Sequence, residues 1–200
     1  MVVKSLGVVA AALAAWACAQ PETAAAAPLR SGMYEGLVLA VSPGGRVVGH
    51  FDMRQGEGVT KRCAFDFVGQ ASGNGATIRV TGAGLTGRLA ASTPEEVSLS
   101  LPRMRTLPGC GLVVPPEVES PGGFEFDRVR PGSWSELARI GGGRVYLRPA
   151  AGGAAGRAYL VKGDVVGVLA RRGNQVQVVY PSERARWAQG WVAAAELSAF

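Results

Sequence analysis

The run Arg46-Val47-Val48-Gly49-His50-Phe51-Asp52-Met53-Arg54 decides the fold. Successive side chains of an extended strand point to opposite faces. Val47, Gly49, Phe51 and Met53 therefore take one face, and Val48, His50, Asp52 and Arg54 take the other. The second face is the polar one, which makes His50 a solvated strand residue. The same period of two recurs from Gly32 to Arg130, the signature of strands. Cys63, Phe65 and Phe67 alternate with Ala64, Asp66 and Val68, and Ile78 and Val80 alternate with Thr77, Arg79 and Thr81. Val97, Leu99 and Leu101 alternate with Ser98 and Ser100, and Phe124 and Phe126 with Glu125 and Asp127.

Turn chemistry separates these runs: Ser42-Pro43-Gly44-Gly45, Ser72-Gly73-Asn74-Gly75, Gly82-Ala83-Gly84 and Ser92-Thr93-Pro94. Short strands joined by hairpin-length turns predict an antiparallel meander curling into a barrel over residues 32–130. The composition agrees. The 200-residue chain has 29 glycines and 12 prolines, a frequency that interrupts helices and suits an all-β protein. With 18% charged residues and a net charge of +6, it is not an acidic disordered chain. A single histidine and three cysteines leave little for a zinc site, so no metal is expected. No phosphate-binding loop, dinucleotide fingerprint or nucleophile elbow is present, and no cofactor is expected.

The N-terminus reads as an address. Lys4 precedes an unbroken apolar run, Leu6 to Ala17, and the small residues Ala17-Cys18-Ala19 follow. A weakly basic start, a short apolar core and a small-x-small end describe a secretory signal peptide over residues 1–19. The run spans about 18 Å as a helix, too short for a hydrocarbon core of about 30 Å. Two processing routes stay open: cleavage after Ala19, or lipidation of Cys18 within the lipobox-like Ala15-Trp16-Ala17-Cys18. Residues 20–31, with their alanine run, read as a flexible linker. The mature chain is expected outside the cytoplasm, in the periplasm or beyond, with membrane attachment only through Cys18.

Export leaves Cys63 and Cys110 as an even pair in an oxidising space, 47 residues apart. A bridge between them closes a loop worth about 4 kcal/mol in the chain-entropy account. No second cysteine lies at a redox-motif spacing, and His50 has no triad partner in the sequence, so the pair reads as structural.

Pro131-Gly132-Ser133 marks a boundary, and Trp134 begins a new pattern. Residues 1–130 carry 12 basic and 11 acidic groups, whereas residues 131–200 carry 9 basic and 4 acidic, so the positive charge concentrates in the last third. We expect a linker at 131–138 and a second domain at 139–200. That segment contains Leu147-Arg148-Pro149, then Lys162-Gly163-Asp164 before Val165-Val166-Gly167-Val168, a Gly173-Asn174 turn, and Gly190-Trp191-Val192 near the end. This order resembles the bacterial Src-homology-3-like (SH3-like) domain, a small barrel common in exported bacterial proteins. Gln175 stands where that family usually has a tryptophan after the turn. The residues agree on their own account: valines favour the strand after Gly163, and Trp191 is large enough to plug a barrel of this size. Tyr146, Tyr159, Tyr180 and Trp187 are the candidate ligand-binding aromatics, with Arg184 and Arg186 flanking Trp187 in a polar loop. An aromatic among arginines can stack on a ring and pair with a carboxylate.

The resemblance implies an exported, non-catalytic binding protein of the cell envelope that recognises a peptidoglycan stem peptide or a protein partner. An excess of positive charge favours anionic targets. The alternative is an inhibitor or immunity-type protein that blocks an exported wall-degrading enzyme. A wall hydrolase is the weaker third reading, because Asp52, Asp66 and Asp127 sit on alternating polar strand faces where solvation explains them. Nucleic acid is not an expected partner, since no recognition-helix pattern exists.

Overall fold

Phe51 lies directly opposite Phe65, His50 opposite Asp66 and Met53 opposite Cys63, which is the antiparallel register the alternating faces call for. The structure, a computed structural model, describes residues 27–57, 61–182 and 187–200. Eight strands run in sequence order: β1 (Gly32–Tyr34), β2 (Leu37–Val41), β3 (Arg46–Gln55), β4 (Lys61–Ser72), β5 (Gly75–Val80), β6 (Thr86–Thr93), β7 (Glu96–Ser100) and β8 (Phe124–Pro131). Each pairs antiparallel with the next, and β1 returns to β8 with Gly32 opposite Pro131, closing the barrel.

The inward faces fill that barrel. Leu39, Val47, Phe51, Phe67, Ile78, Leu89 and Leu99 are wholly buried in one core. Gly49 faces inward directly beneath the Phe67 ring, where any added Cβ would collide with it. Eight strands leave an interior about wide enough for side chains alone, and this one is packed with apolar groups. Outward positions carry Arg54, Arg62, Arg79 and Arg88, which are exposed. That is the reverse of the apolar-out pattern of a lipid-facing barrel.

Between β7 and β8 the chain makes three 3-10 turns, Met104–Thr106, Cys110–Leu112 and Pro116–Glu119. They fold Met104, Val113, Val114 and Val118 onto the barrel core. Cys110 is bonded there to Cys63 of β4, with Cα atoms 4.4 Å apart. The expected structural disulfide thus ties a late connection to an early strand.

A second unit follows. Its five-stranded sheet has the order β14 (Ala188–Ala193), β13 (Gln175–Tyr180), β12 (Val165–Arg172), β9 (Glu136–Ile140) and β15 (Leu197–Ala199). A hairpin of β10 (Arg144–Tyr146) and β11 (Tyr159–Val161) stands beside it. One face of the sheet buries Ile140, Val166, Val176, Val178 and Val192 with Val145, Leu147 and Leu160. The opposite face presses Leu137, Val165 and Val179 against the barrel exterior at Ala40 and Val48. A strand covered on both sides reads as a continuous apolar run rather than an alternating one, and that accounts for Val165-Val166-Gly167-Val168. Trp134 fills this junction at 2% exposure and donates from Nε1 to the Leu39 carbonyl oxygen at 3.0 Å. Its ring lies in a slot left by Gly132 and Gly167, where an added Cβ would collide.

Three expectations are corrected. Residues 27–31 are not slack linker: Leu29 is buried on the barrel core, and the Ser31 hydroxyl accepts from the Val41 amide at 2.8 Å. The expected linker at 131–138 shrinks, because β8 reaches Pro131 and β9 starts at Glu136. Leu137 and Ala138 are recruited into strand because they have apolar surface to bury on either side. Trp191 is not a core plug. It is half-buried, alternating with the buried Gly190 and Val192, so its side chain takes the other face, with the Arg172 guanidinium 5.7 Å from its ring centre.

Candidate functional site

Burial of Val145 and Leu160 sets which way the β10–β11 hairpin faces. These two residues are cross-strand partners on the inner side, so Arg144, Tyr146, Tyr159 and Val161 are turned outward. Tyr146 and Tyr159 are 43% and 46% exposed, and their ring centres are 5.8 Å apart. The Arg144 guanidinium sits 4.3 Å from the Tyr159 ring centre. Two aromatic faces beside a fixed cation form a ledge that can stack a ring or peptide group and pair with a carboxylate. The sequence named both tyrosines. Their pairing depends on the register across a long Ala/Gly-rich connection, which no local pattern reveals.

Tyr180 lies elsewhere, at a cleft of about 570 Å³ between the barrel and the second unit. Asp52, Arg54, Arg62 and His50 line its barrel side, and Asp164 and Tyr180 line the other. Arg62 grips Asp52 in a fork, Nε to Oδ1 at 2.6 Å and Nη2 to Oδ2 at 2.9 Å. Partial burial pushes the Asp52 carboxyl up, but the hydrogen bonds and charge of Arg62 and Arg54 outweigh it and hold the group below the ordinary range. Burial, with Asp164 and Asp52 nearby, raises the Tyr180 phenol. Tyr180 thus stays neutral, with its hydroxyl protonated.

His50 is not solvated as expected. Its side chain is 13% exposed, and Nδ1 lies 2.7 Å from Asp66 Oδ1. Asp66 also receives Arg139 Nη2 on both oxygens, at 2.7 and 2.6 Å, while Arg139 Nη1 donates to the Gly163 carbonyl at 2.9 Å. Burial pushes the Asp66 carboxyl up, yet hydrogen bonds from His50 and Arg139 prevail and keep it below its usual range. The Arg139 guanidinium sits 4.9 Å from the Phe200 ring centre. These residues join the barrel to the second sheet. Sequence reading placed Asp66 correctly on the outer face, but its partner Arg139 is 73 residues away.

Trp187 is a junction residue rather than an exposed loop aromatic. Its ring centre is 5.3 Å from that of Trp134, with Arg130 at 5.1 Å, so the apolar seam between the units takes it in. Arg184 and Arg186, and the lipidation candidate Cys18, lie outside the described residues. Among the described residues no three His, Cys, Asp or Glu side chains gather to hold a metal ion. His50 pairs with the Asp66 carboxylate, and no hydroxyl or thiol among the described residues hydrogen-bonds to its ring. No protein-family model matches the chain, and comparison with curated proteins and with solved structures returns no match.

Proposed function

We propose that this chain is an exported, non-catalytic binding protein of the cell envelope, whose SH3-like second unit captures an anionic peptide such as a peptidoglycan stem. The observation that carries this reading is the outward ledge of Tyr146, Tyr159 and Arg144. Aromatic side chains and arginine are the residues that binding surfaces concentrate. The excess of basic groups in residues 131–200 favours acidic targets at a distance, before contact is made. The apolar side chains that fill the barrel interior support the same reading, since they take up the space a small-molecule cargo would need. The Cys63–Cys110 bond suits an oxidising compartment.

The test is co-sedimentation of the whole mature chain with purified peptidoglycan sacculi at low and high salt. Native protein should pellet at low salt, less at high salt, and Tyr159→Ala with Arg144→Gln should remove most of the pelleted fraction. Failure to pellet at low salt would overturn wall binding.

A second reading, an inhibitor that blocks an exported enzyme, is favoured by Leu112. This side chain is 65% exposed on the 3-10 turn anchored by Cys110, so a rigid, disulfide-held loop presents a bare hydrophobe. Rigid presentation lowers the ordering cost of binding. Nanomolar capture of one defined protein, lost in Leu112→Asp, would select this reading over wall binding.

A further inference from the structure

The register of the β10–β11 hairpin decides where its backbone groups point. Leu147 N donates to the Ala158 carbonyl at 2.9 Å and Lys162 N to the Gly143 carbonyl at 3.2 Å. The bonded pairs of this antiparallel ladder are therefore 143 with 162, 145 with 160 and 147 with 158. Arg144 opposite Val161, and Tyr146 opposite Tyr159, are the unbonded pairs between them, and each turns its amide and carbonyl to an outer edge. On the β11 side Asp164 covers Val161, whose amide donates to Asp164 Oδ2 at 2.8 Å and whose carbonyl accepts from the Asp164 amide at 3.0 Å. On the β10 side, among the described residues, no bond reaches the amide or carbonyl of Arg144 or Tyr146. Native chains blunt exposed edges, so a bare edge beside a covered one is a template for another chain.

The bare positions continue a ladder that has already begun. On the same side of the chain, Arg148 and Trp191 of β14 exchange both backbone bonds, at 3.0 and 2.8 Å. Carried on in that antiparallel register, Ala193 would be the next partner, opposite Tyr146. Instead the Ala193 amide donates to Glu196 Oε2 at 2.9 Å, and the chain leaves in the 3-10 turn Ala194–Glu196. An extended backbone supplies donors and acceptors at the spacing this edge presents. A strand added antiparallel to β10 sets its directly opposite side chains on the face of Tyr146 and Arg144. There Tyr146, Tyr159 and Val161 are exposed. The residue opposite Tyr146 comes first and meets the tyrosine pair, and the one opposite Arg144 follows after a single intervening residue. Charge selects the occupant. A second copy would bring together two segments that each carry 9 basic and 4 acidic groups, whereas an acidic chain is drawn in. Resting on the reading of this ledge as a peptide site, we infer that β10 recruits an all-L segment of an acidic protein partner as an added antiparallel strand, with an apolar residue opposite Tyr146 and a carboxylate opposite Arg144.

The probe is the capped peptide acetyl-Thr-Val-Thr-Glu-Thr-amide, titrated into the whole mature chain with backbone amide signals followed by NMR. Binding should shift the Arg144 and Tyr146 amides and weaken as salt is added. The reversed order, Thr-Glu-Thr-Val-Thr, should bind about threefold more weakly, because the carboxylate then falls opposite Tyr146. Methylating the valine nitrogen should cost about fivefold, the worth of one net hydrogen bond. Methylating the central threonine nitrogen, which faces away from β10, should change binding less than about twofold. Arg144→Gln should weaken the native order about threefold and leave the reversed order unchanged. Three results would overturn the inference: no shift of the Arg144 and Tyr146 amides, equal binding of the two orders, or equal cost from the two methylations. A peptide of alternating L and D residues binding as tightly as the all-L probe would also overturn it. So would shifts of the same amides with protein concentration alone, by assigning the edge to a second copy. The peptide comparisons are read on the native protein, so they do not depend on any variant folding. Sacculi that pellet the chain while the peptide fails would leave wall binding standing and remove the added strand, and the opposite pair of results would do the reverse.

Discussion

Trp134 Nε1 donates to the Leu39 carbonyl across 95 residues of chain, and this one bond sits in the seam that makes two β units a single body. The indole is held between glycines on one side and Trp187 on the other. Trp134→Ala removes that ring from a packed site and should destabilise the protein by about 3–5 kcal/mol. Trp134→Phe keeps most of the volume but loses the indole hydrogen bond, and should cost less, about 0.5–1.5 kcal/mol. Urea unfolding of both variants checks the order.

Asp66 makes stability pH-dependent on the acid side. Its folded pKa lies below the unfolded value near 3.8, so its contribution is complete above that value and lost as pH falls through the folded one. Melting temperature should therefore drop steeply below about pH 4, and Asp66→Asn should flatten that limb while lowering stability at pH 7. A melting series from pH 2 to pH 8 on both proteins decides it; parallel curves would refute the assignment.

Reduction should be costly. Opening the Cys63–Cys110 loop frees 47 residues' separation in the unfolded chain, about 4 kcal/mol in the entropic account. Cys63→Ala with Cys110→Ala should melt well below the native protein, and reductant should lower the native melting point while leaving the double variant unchanged.

Gly49→Ala should destabilise by about 1–3 kcal/mol, the typical penalty of overpacking, because the new methyl meets the Phe67 ring. Phe67→Leu in the same chain should recover part of the loss, which a double-mutant cycle in urea would measure.

Much of the barrel was legible because one strand face had to be apolar throughout. Val47, Phe51, Phe67, Ile78 and Leu99 each fall on the predicted side and are buried. The second unit's docking was written into the residues that break this alternation: Val48 and Val68 are apolar on the outer face, and the seam with the second sheet covers them. A single strand cannot reveal what covers such residues. Trp191 misled for the opposite reason, since its size suggested a plug while its neighbours Gly190 and Val192 already claimed the inner face. His50, Asp66 and Arg139 meet only because β3, β4 and β9 converge, and long-range juxtaposition leaves no local pattern.

The pairing of Gly32 with Pro131 sets the tempo of folding. A barrel whose first strand waits for its eighth cannot close until the whole segment between them is available, and loop closure over such a distance carries its entropic cost before any reward. The neighbouring hairpins can form early, each over a short turn, while the edges of β1 and β8 stay unpaired. Trp134 sits three residues beyond that closing strand, so the barrel wall it docks on is complete only once the ring is shut. Loop-closure cost therefore predicts the order hairpins, then closure, then capture of the second sheet.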